Sequence, residues 1–211
     1  MEIRPLHPVF VGEVSGVDLR KPLAAATVAA IHAGMDHYGI LVFHDQLMTP
    51  EQQRAMTGQL GTLELGFARV VHNRGRESPA APPRTGYAEV ADMSNLDAEG
   101  KPVDRTSRKI VNNMANQLWH SDSSFQKPSA KYSLLLAVRL PSWGGETEFA
   151  DMRAAYDALD PRMSTLNSRG SEESRGFFPM SCAVRKPQTI RVTAPPPPWA
   201  SVMTSPGFAV T

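Results

Sequence analysis

Two side chains in the stretch NQLWHSDSSF, residues 116–125, have a type and spacing that could bind a metal: His120 and Asp122. In an extended strand, residues i and i+2 share a face, so an imidazole and a carboxylate would aim at one ion while Ser121 points away. In a helix the same spacing splays them apart. One histidine and one carboxylate make two thirds of the facial triad that holds non-haem Fe(II), with positions left open for a cosubstrate and oxygen. The competing reading is structural, a loop histidine beside a capping aspartate. Trp119 and Phe125 flank the pair and could keep water from a metal, or could simply belong to the core.

The other five of the six histidines are weak third ligands. His7 lies in the N-terminal segment and reads as a surface residue. His32 and His37 are five apart on a predicted helix and do not share a face. His44 follows a buried strand, and its position suits capping that strand's end. His72 falls in a loop region and is the one histidine considered as a replacement ligand. No histidine follows His120. Cys182 is the sole cysteine, which excludes an intramolecular disulfide and a cysteine-rich zinc site.

Elements must position these side chains. Residues 25–38, AATVAAIHAGMDHY, place Val28, Ile31, Met35 and Tyr38 on one apolar face, predicting a helix. The run ILVF, Ile40 to Phe43, predicts a buried strand. In TPEQQRAMTGQLG, Thr49 caps a second helix, Pro50 takes its first position, Gln52 completes a capping box and Gly61 stops it. From Asn73 to Lys109 the chain is polar and rich in Pro and Gly, which predicts loop, with YAEVADMSN as a short strand. Lys131 to Leu140, KYSLLLAVRL, predicts a strand, PSWGG turns it, and ETEFA starts another. DMRAAYDALDP predicts a helix capped by Asp151 and ended at Asp160-Pro161.

A chain of 211 residues is long enough for one complete core. Its 22 basic and 21 acidic residues leave a formal charge of +1, which gives no electrostatic reason to expect nucleic acid or a membrane surface as partner. The N-terminus lacks a basic segment followed by a continuous apolar run, so it does not read as a signal peptide. No run reaches the roughly 18 apolar residues of a membrane helix. A soluble, cytoplasmic protein is the expectation.

WHSDSSF is followed, one predicted strand later, by PSWGGETEFADMRAAYDAL. With LHPVFVGEVSGVDLR, GILVFHDQ and TPEQQRAMTGQLG before it, this order resembles the Fe(II)/2-oxoglutarate-dependent dioxygenases of the taurine and 2,4-dichlorophenoxyacetate dioxygenase (TauD/TfdA) type, nearest the chlorophenoxyacetate branch. The resemblance covers most of residues 1–160. It implies an α+β, mainly β fold, a double-stranded β-helix (jelly roll, cupin-like) with flanking helices. It matches His120 and Asp122 to two Fe(II) ligands and Thr147 to a threonine that helps hold 2-oxoglutarate. A hydroxyl there can donate to a carboxylate oxygen, although an ordinary strand threonine would look the same. Asn116 matches a position close to the substrate pocket, or is a turn residue. Arg69, in GFARVVHNR, falls where relatives place substrate-contacting side chains. Its guanidinium would suit a carboxylate or sulfonate, or it is a solvated surface arginine. The implied reaction couples decarboxylation of 2-oxoglutarate to hydroxylation of a small anionic organic acid by dioxygen. A homo-oligomer is compatible with it.

The family also needs a later histidine, and an arginine that binds the far carboxylate of 2-oxoglutarate. Arg175, Arg185 and Arg191 sit in no recognisable segment of that kind. The resemblance fades near DPRMSTLNSRG. We therefore expect residues 1–165 to be the N-terminal part of a jelly-roll dioxygenase domain, with the C-terminal part of the barrel missing. Residues 166–211, which include Pro195–Pro198, are expected to be an atypical Pro-rich tail, disordered or out of frame. A truncated or frame-shifted family member fits this, and the alternatives are a pseudo-enzyme or interaction subunit of the same fold, or another cupin-like metal-binding protein.

Overall fold

The structure, a computed structural model, describes residues 1–64, 84–114, 118–122, 130–139, 147–160, 189–192, 200–204 and 208–210. Its strands are β1 (Glu2–His7), β2 (Val11–Ser15), β3 (Ile40–His44), β4 (Ser133–Leu136), β5 (Thr147–Asp151), β6 (Thr189–Val192), β7 (Ala200–Thr204) and β8 (Phe208–Val210). Its helices are α1 (Ala25–Tyr38), α2 (Pro50–Leu60), α3 (Arg108–Met114) and α4 (Met152–Asp157). One sheet has the order β1-β2-β3-β7-β4 and a second the order β6-β5-β8. All pairs are antiparallel except β2 with β3, which are parallel and joined through α1.

That parallel pair explains the unbroken apolar run of β3. A strand covered on both faces has no solvent side on which to place polar residues. Ile40, Leu41, Val42 and Phe43 are all essentially buried. Leu41 and Phe43 join Ile31 and Met35 of α1, Met56 and Leu60 of α2, and Val14 of β2 in one cluster. The core thus lies between the two helices and one face of the larger sheet. Close approach is possible because small residues stand at the contact. A Cβ on Gly12 would lie 2.7 Å from Tyr38 Cδ2 and 2.9 Å from both Ile3 and Leu41.

The helix ends follow from local chemistry. In α2, the Thr49 amide donates to Gln52 Oε1 at 2.9 Å and the Gln52 amide to Thr49 Oγ1 at 3.3 Å, the expected capping box. Gly61 follows the helix in an extended conformation, not the left-handed turn that a glycine stop usually makes. Gly39 ends α1 with φ 79° and donates its amide to Met35 O at 2.8 Å. Asp151 caps α4, accepting from the Arg153 amide at 2.9 Å. Arg153 then donates to the carbonyls of Asp36 and Tyr38, 3.3 and 3.1 Å away, satisfying groups at the end of α1.

Several expectations are corrected. YAEVADMSN forms turns instead of a strand; Thr85 Oγ1 donates to Val90 O at 2.7 Å and holds it as a local loop. The strand expected over Lys131–Leu140 is limited to Ser133–Leu136 among the described residues. The helix expected up to Asp160 ends at Asp157. Helix α3 starts inside the stretch expected to be loop up to Lys109. Its seven residues present too short an apolar period to stand out, and Ser107 caps it by accepting from the Ile110 amide at 3.4 Å. The composition of 166–211 suggests a tail, and its described residues are the strands β6, β7 and β8. Runs of three to five residues are too short for alternation to be read reliably. The fold expectation, by contrast, is met in its coarser part: strands in two sheets with flanking helices.

Candidate metal centre

Residues 118–122 follow α3 in the chain, His120 sits in a single β-bridge, and His120 and Asp122 converge. His120 Nε2 stands 3.3 Å from Asp122 Oδ1. The other ring nitrogen, Nδ1, lies 2.7 Å from the Leu118 carbonyl oxygen. A carbonyl can only accept, so Nδ1 carries a hydrogen and Nε2 is the nitrogen that faces Asp122.

This arrangement fits a metal by its donor chemistry. With hydrogen at Nδ1 alone, Nε2 and the Asp122 carboxylate present two donor atoms to one cation, while a protonated ring would instead pair with the carboxylate directly. Two ligands at right angles with bonds of about 2.1 Å place their donor atoms about 3 Å apart, close to the separation found. A hydrogen bond from the second nitrogen to a carbonyl is also the usual way in which a ligating histidine is oriented. About a third of the His120 side chain and half of Asp122 are accessible, so the pair is open to solvent.

The other candidate residues are more scattered. Thr147 is half-buried at the first position of β5, opposite Val192 of β6. Asn116, Arg69, His72 and Phe125 lie outside the described residues. Trp119 is 38% exposed, which does not favour its reading as a core residue. Among the described residues no group of three or more His, Cys, Asp and Glu side chains could hold a metal. His44 instead faces Glu13, with Nε2 2.9 Å from Oε1, near enough to pair electrostatically but off the direction of a hydrogen bond. Glu13 also accepts from Arg4 Nε at 2.5 Å, and that hydrogen bond holds its carboxyl below the usual range.

One cluster escaped sequence reasoning. Asp92 accepts a two-pronged bond from Arg84, at 2.9 and 3.1 Å, and a bond from Lys109 Nζ at 3.2 Å. Lys109 also donates to the Leu96 carbonyl at 2.6 Å. The Arg84 hydrogen bond comes first among the effects that hold the Asp92 carboxyl well below the ordinary aspartate range. No spacing rule marks Asp92 and Lys109, because their partnership depends on how the intervening loop folds.

Two sheets flanked by helices, with a His-x-Asp pair whose polar atoms converge, define a recognisable class. The chain belongs to the family described as Taurine catabolism dioxygenase TauD, TfdA family, whose model matches residues 2–182. It is 49% identical over 155 residues to the alpha-ketoglutarate-dependent 2,4-dichlorophenoxyacetate dioxygenase of Cupriavidus pinatubonensis, covering 74% of this chain and 51% of that protein. It is 36% identical over 174 residues to the (S)-phenoxypropionate/alpha-ketoglutarate-dioxygenase of Sphingobium herbicidovorans, covering 81% of this chain and 53% of that one. The chain spans about half the length of the curated relatives it matches. Among solved structures it is similar to AAD-2 in complex with Mn(II) and N-oxalylglycine, with TM-score 0.75 and 31% identity over all of this chain and 90% of that one. A taurine dioxygenase from Burkholderia xenovorans shares the fold at TM-score 0.66 and 18% identity, over 99% of this chain and 81% of the other. Among the described residues, no helix is long and apolar enough to cross a membrane.

Proposed function

We propose that this chain carries part of the site of an Fe(II)- and 2-oxoglutarate-dependent dioxygenase that hydroxylates a small organic acid. The observation that carries the proposal is the convergence of His120 Nε2 and Asp122 Oδ1 at 3.3 Å, with the ring oriented by the Leu118 carbonyl. His120 and Asp122 would hold the metal, and Thr147 would donate to a carboxylate of 2-oxoglutarate. Asn116 and Arg69 would face the substrate, the arginine pairing with its acid group. Bound Fe(II) would supply the redox chemistry that couples decarboxylation of 2-oxoglutarate to oxygen transfer. The residues of the chain bind and orient: the Leu118 carbonyl accepts from Nδ1–H and turns Nε2 toward Asp122.

An aryloxyacetate is the favoured substrate class, because the relative at 49% identity is named for 2,4-dichlorophenoxyacetate. A sulfonate is the second choice, from the taurine relatives. Two ligands bind a divalent ion more weakly than three do. With these 211 residues alone we therefore expect little or no turnover.

Metal binding and turnover test the two halves of this reading separately. Mn(II) binding followed by electron paramagnetic resonance should be measurable in the parent and lost in His120→Ala and Asp122→Ala. Succinate formation from 2-oxoglutarate, with Fe(II), ascorbate and aryloxyacetates or sulfonates, should be near background. Unchanged Mn(II) binding in both variants would remove the metal assignment. Robust Fe-dependent turnover abolished by His120→Ala would refute the expectation of an inactive chain.

A further inference from the structure

Residues 84–92 close into a loop through their own groups. At its ends Arg84 donates to both oxygens of Asp92, at 2.9 and 3.1 Å. Inside it the Thr85 hydroxyl donates to the Val90 carbonyl at 2.7 Å, and the Val90 amide to the Tyr87 carbonyl at 3.2 Å. Val90 is the only buried residue of the stretch, so apolar burial contributes little to holding the loop against the core.

Two side chains of the loop meet α2, through charge and a ring face. Arg54, exposed on that helix, places Nε and Nη2 each 3.2 Å from Glu89 Oε1. Its guanidinium carbon also lies over the Tyr87 ring, 5.6 Å from the centroid. Glu51, three residues earlier on α2 and so on the same face, neighbours the Tyr87 hydroxyl. The Arg54 side chain is 44% accessible. An ion pair this open to water holds weakly and is screened by salt. Helix α2 does not depend on it, since the helix is capped by Thr49 and Gln52 and packs Met56 and Leu60 into the core. At the other end of the loop, Asp92 accepts from Lys109 of α3 at 3.2 Å, an attachment in which α2 takes no part.

We infer that residues 84–92 form a strap closed onto α2 by an ionic clasp, Arg54 with Glu89 and Tyr87, and that the strap leaves α2 as one piece while the core stays folded. The internal bonds of the loop keep it whole when the clasp releases, and Lys109 holds its Asp92 end as the hinge. Ionic strength, or an anion that competes with Glu89 for Arg54, is the signal that opens it. The inference does not depend on the metal reading of His120 and Asp122.

The test uses the full chain carrying 3-fluorotyrosine, followed by fluorine NMR. Its tyrosines are Tyr38, Tyr87, Tyr132 and Tyr156, of which Tyr87 alone lies in the strap, and Tyr87→Phe identifies its signal. The shift of each signal between H2O and D2O reads how far water reaches that ring. Raising salt from about 0.05 M to about 0.5 M should increase this isotope shift at Tyr87 and leave the other three unchanged. Glu89→Gln, which leaves Arg54 and Tyr87 in place, should raise the open-to-closed ratio about two- to fivefold at low salt, the scale of an exposed ion pair. Arg54→Met, which also removes the ring contact, should raise it on the order of tenfold. Because Arg54→Met uncovers the ring directly, salt and Glu89→Gln carry the test. A Tyr87 signal that neither of them moves would overturn the inference, since the clasp would then not hold the loop. Movement of all four signals together would overturn it as well, because the contact would then belong to the global fold and not to a separate strap.

Discussion

His120 and Asp122 meet because each needs only its near neighbours. The ring is turned by a carbonyl two residues back and faced by a carboxylate two residues on, so a short segment suffices. Asp92 behaves differently, since its carboxyl is set by partners eight and seventeen residues away. Its proton affinity gives a testable pH signature. The folded state holds this carboxyl below the ordinary value of 3.8, so its ionised form is the one that stabilises. That contribution is full above the ordinary value and is lost as pH falls through the folded one. Denaturant midpoints should therefore show Asp92→Asn less stable than the parent by a constant amount from neutral pH down to about pH 5, with the gap narrowing below about pH 4. A gap that widens on acidification would contradict this assignment.

At the scale of elements, the packing of α1 against β2 and β3 is limited by backbone approach. Gly12 sits where a Cβ would meet Tyr38, Ile3 and Leu41 at once, all within 3 Å. Gly12→Ala should cost about 1–3 kcal/mol, the usual penalty for overpacking a closed contact. Gly58 offers the contrast. It lies on the exposed side of α2 with nothing within 4 Å of its would-be Cβ, so there the substitution fills only solvent. Gly58→Ala should raise stability by about 0.5–1 kcal/mol, because alanine loses less backbone entropy in a helix. Thermal or urea unfolding of the two variants checks both signs. Equal effects would mean that the close approach of α1 to the sheet is not a constraint.

The whole molecule depends on a strand from late in the chain. β7 pairs with β3 on one side, Leu41 opposite Met203, and with β4 on the other, Leu134 opposite Met203. It therefore joins the N-terminal β1-β2-β3 layer to the strand that lies between the His120–Asp122 segment and β5. A variant ending at residue 192 should leave β3 and β4 with unpaired edges and lose a single cooperative melting transition, with aggregation visible by light scattering. A monodisperse, cooperatively melting truncation would show that the larger sheet closes without β7. The same logic makes the chain's stability a question separate from its chemistry. The family likeness extends to residue 182, while the large sheet draws on residues beyond it.

Local contacts made part of this protein legible in its sequence. The helix Ala25–Tyr38, the buried run starting at Ile40, the capping box of Thr49 and Gln52 and the cap by Asp151 all depend on residues within a few positions of one another. His-x-Asp is local in the same sense, and its neighbours carry the family likeness. Tertiary structure alone decided the rest: the insertion of β7 between β3 and β4, the parallel pairing of β2 with β3, and the hold of Asp92 on α3 through Lys109. Each of these joins segments far apart in the chain. Their partners are selected by shared burial and by hydrogen bonds left open elsewhere, and periodicity and spacing within one segment carry no record of that choice.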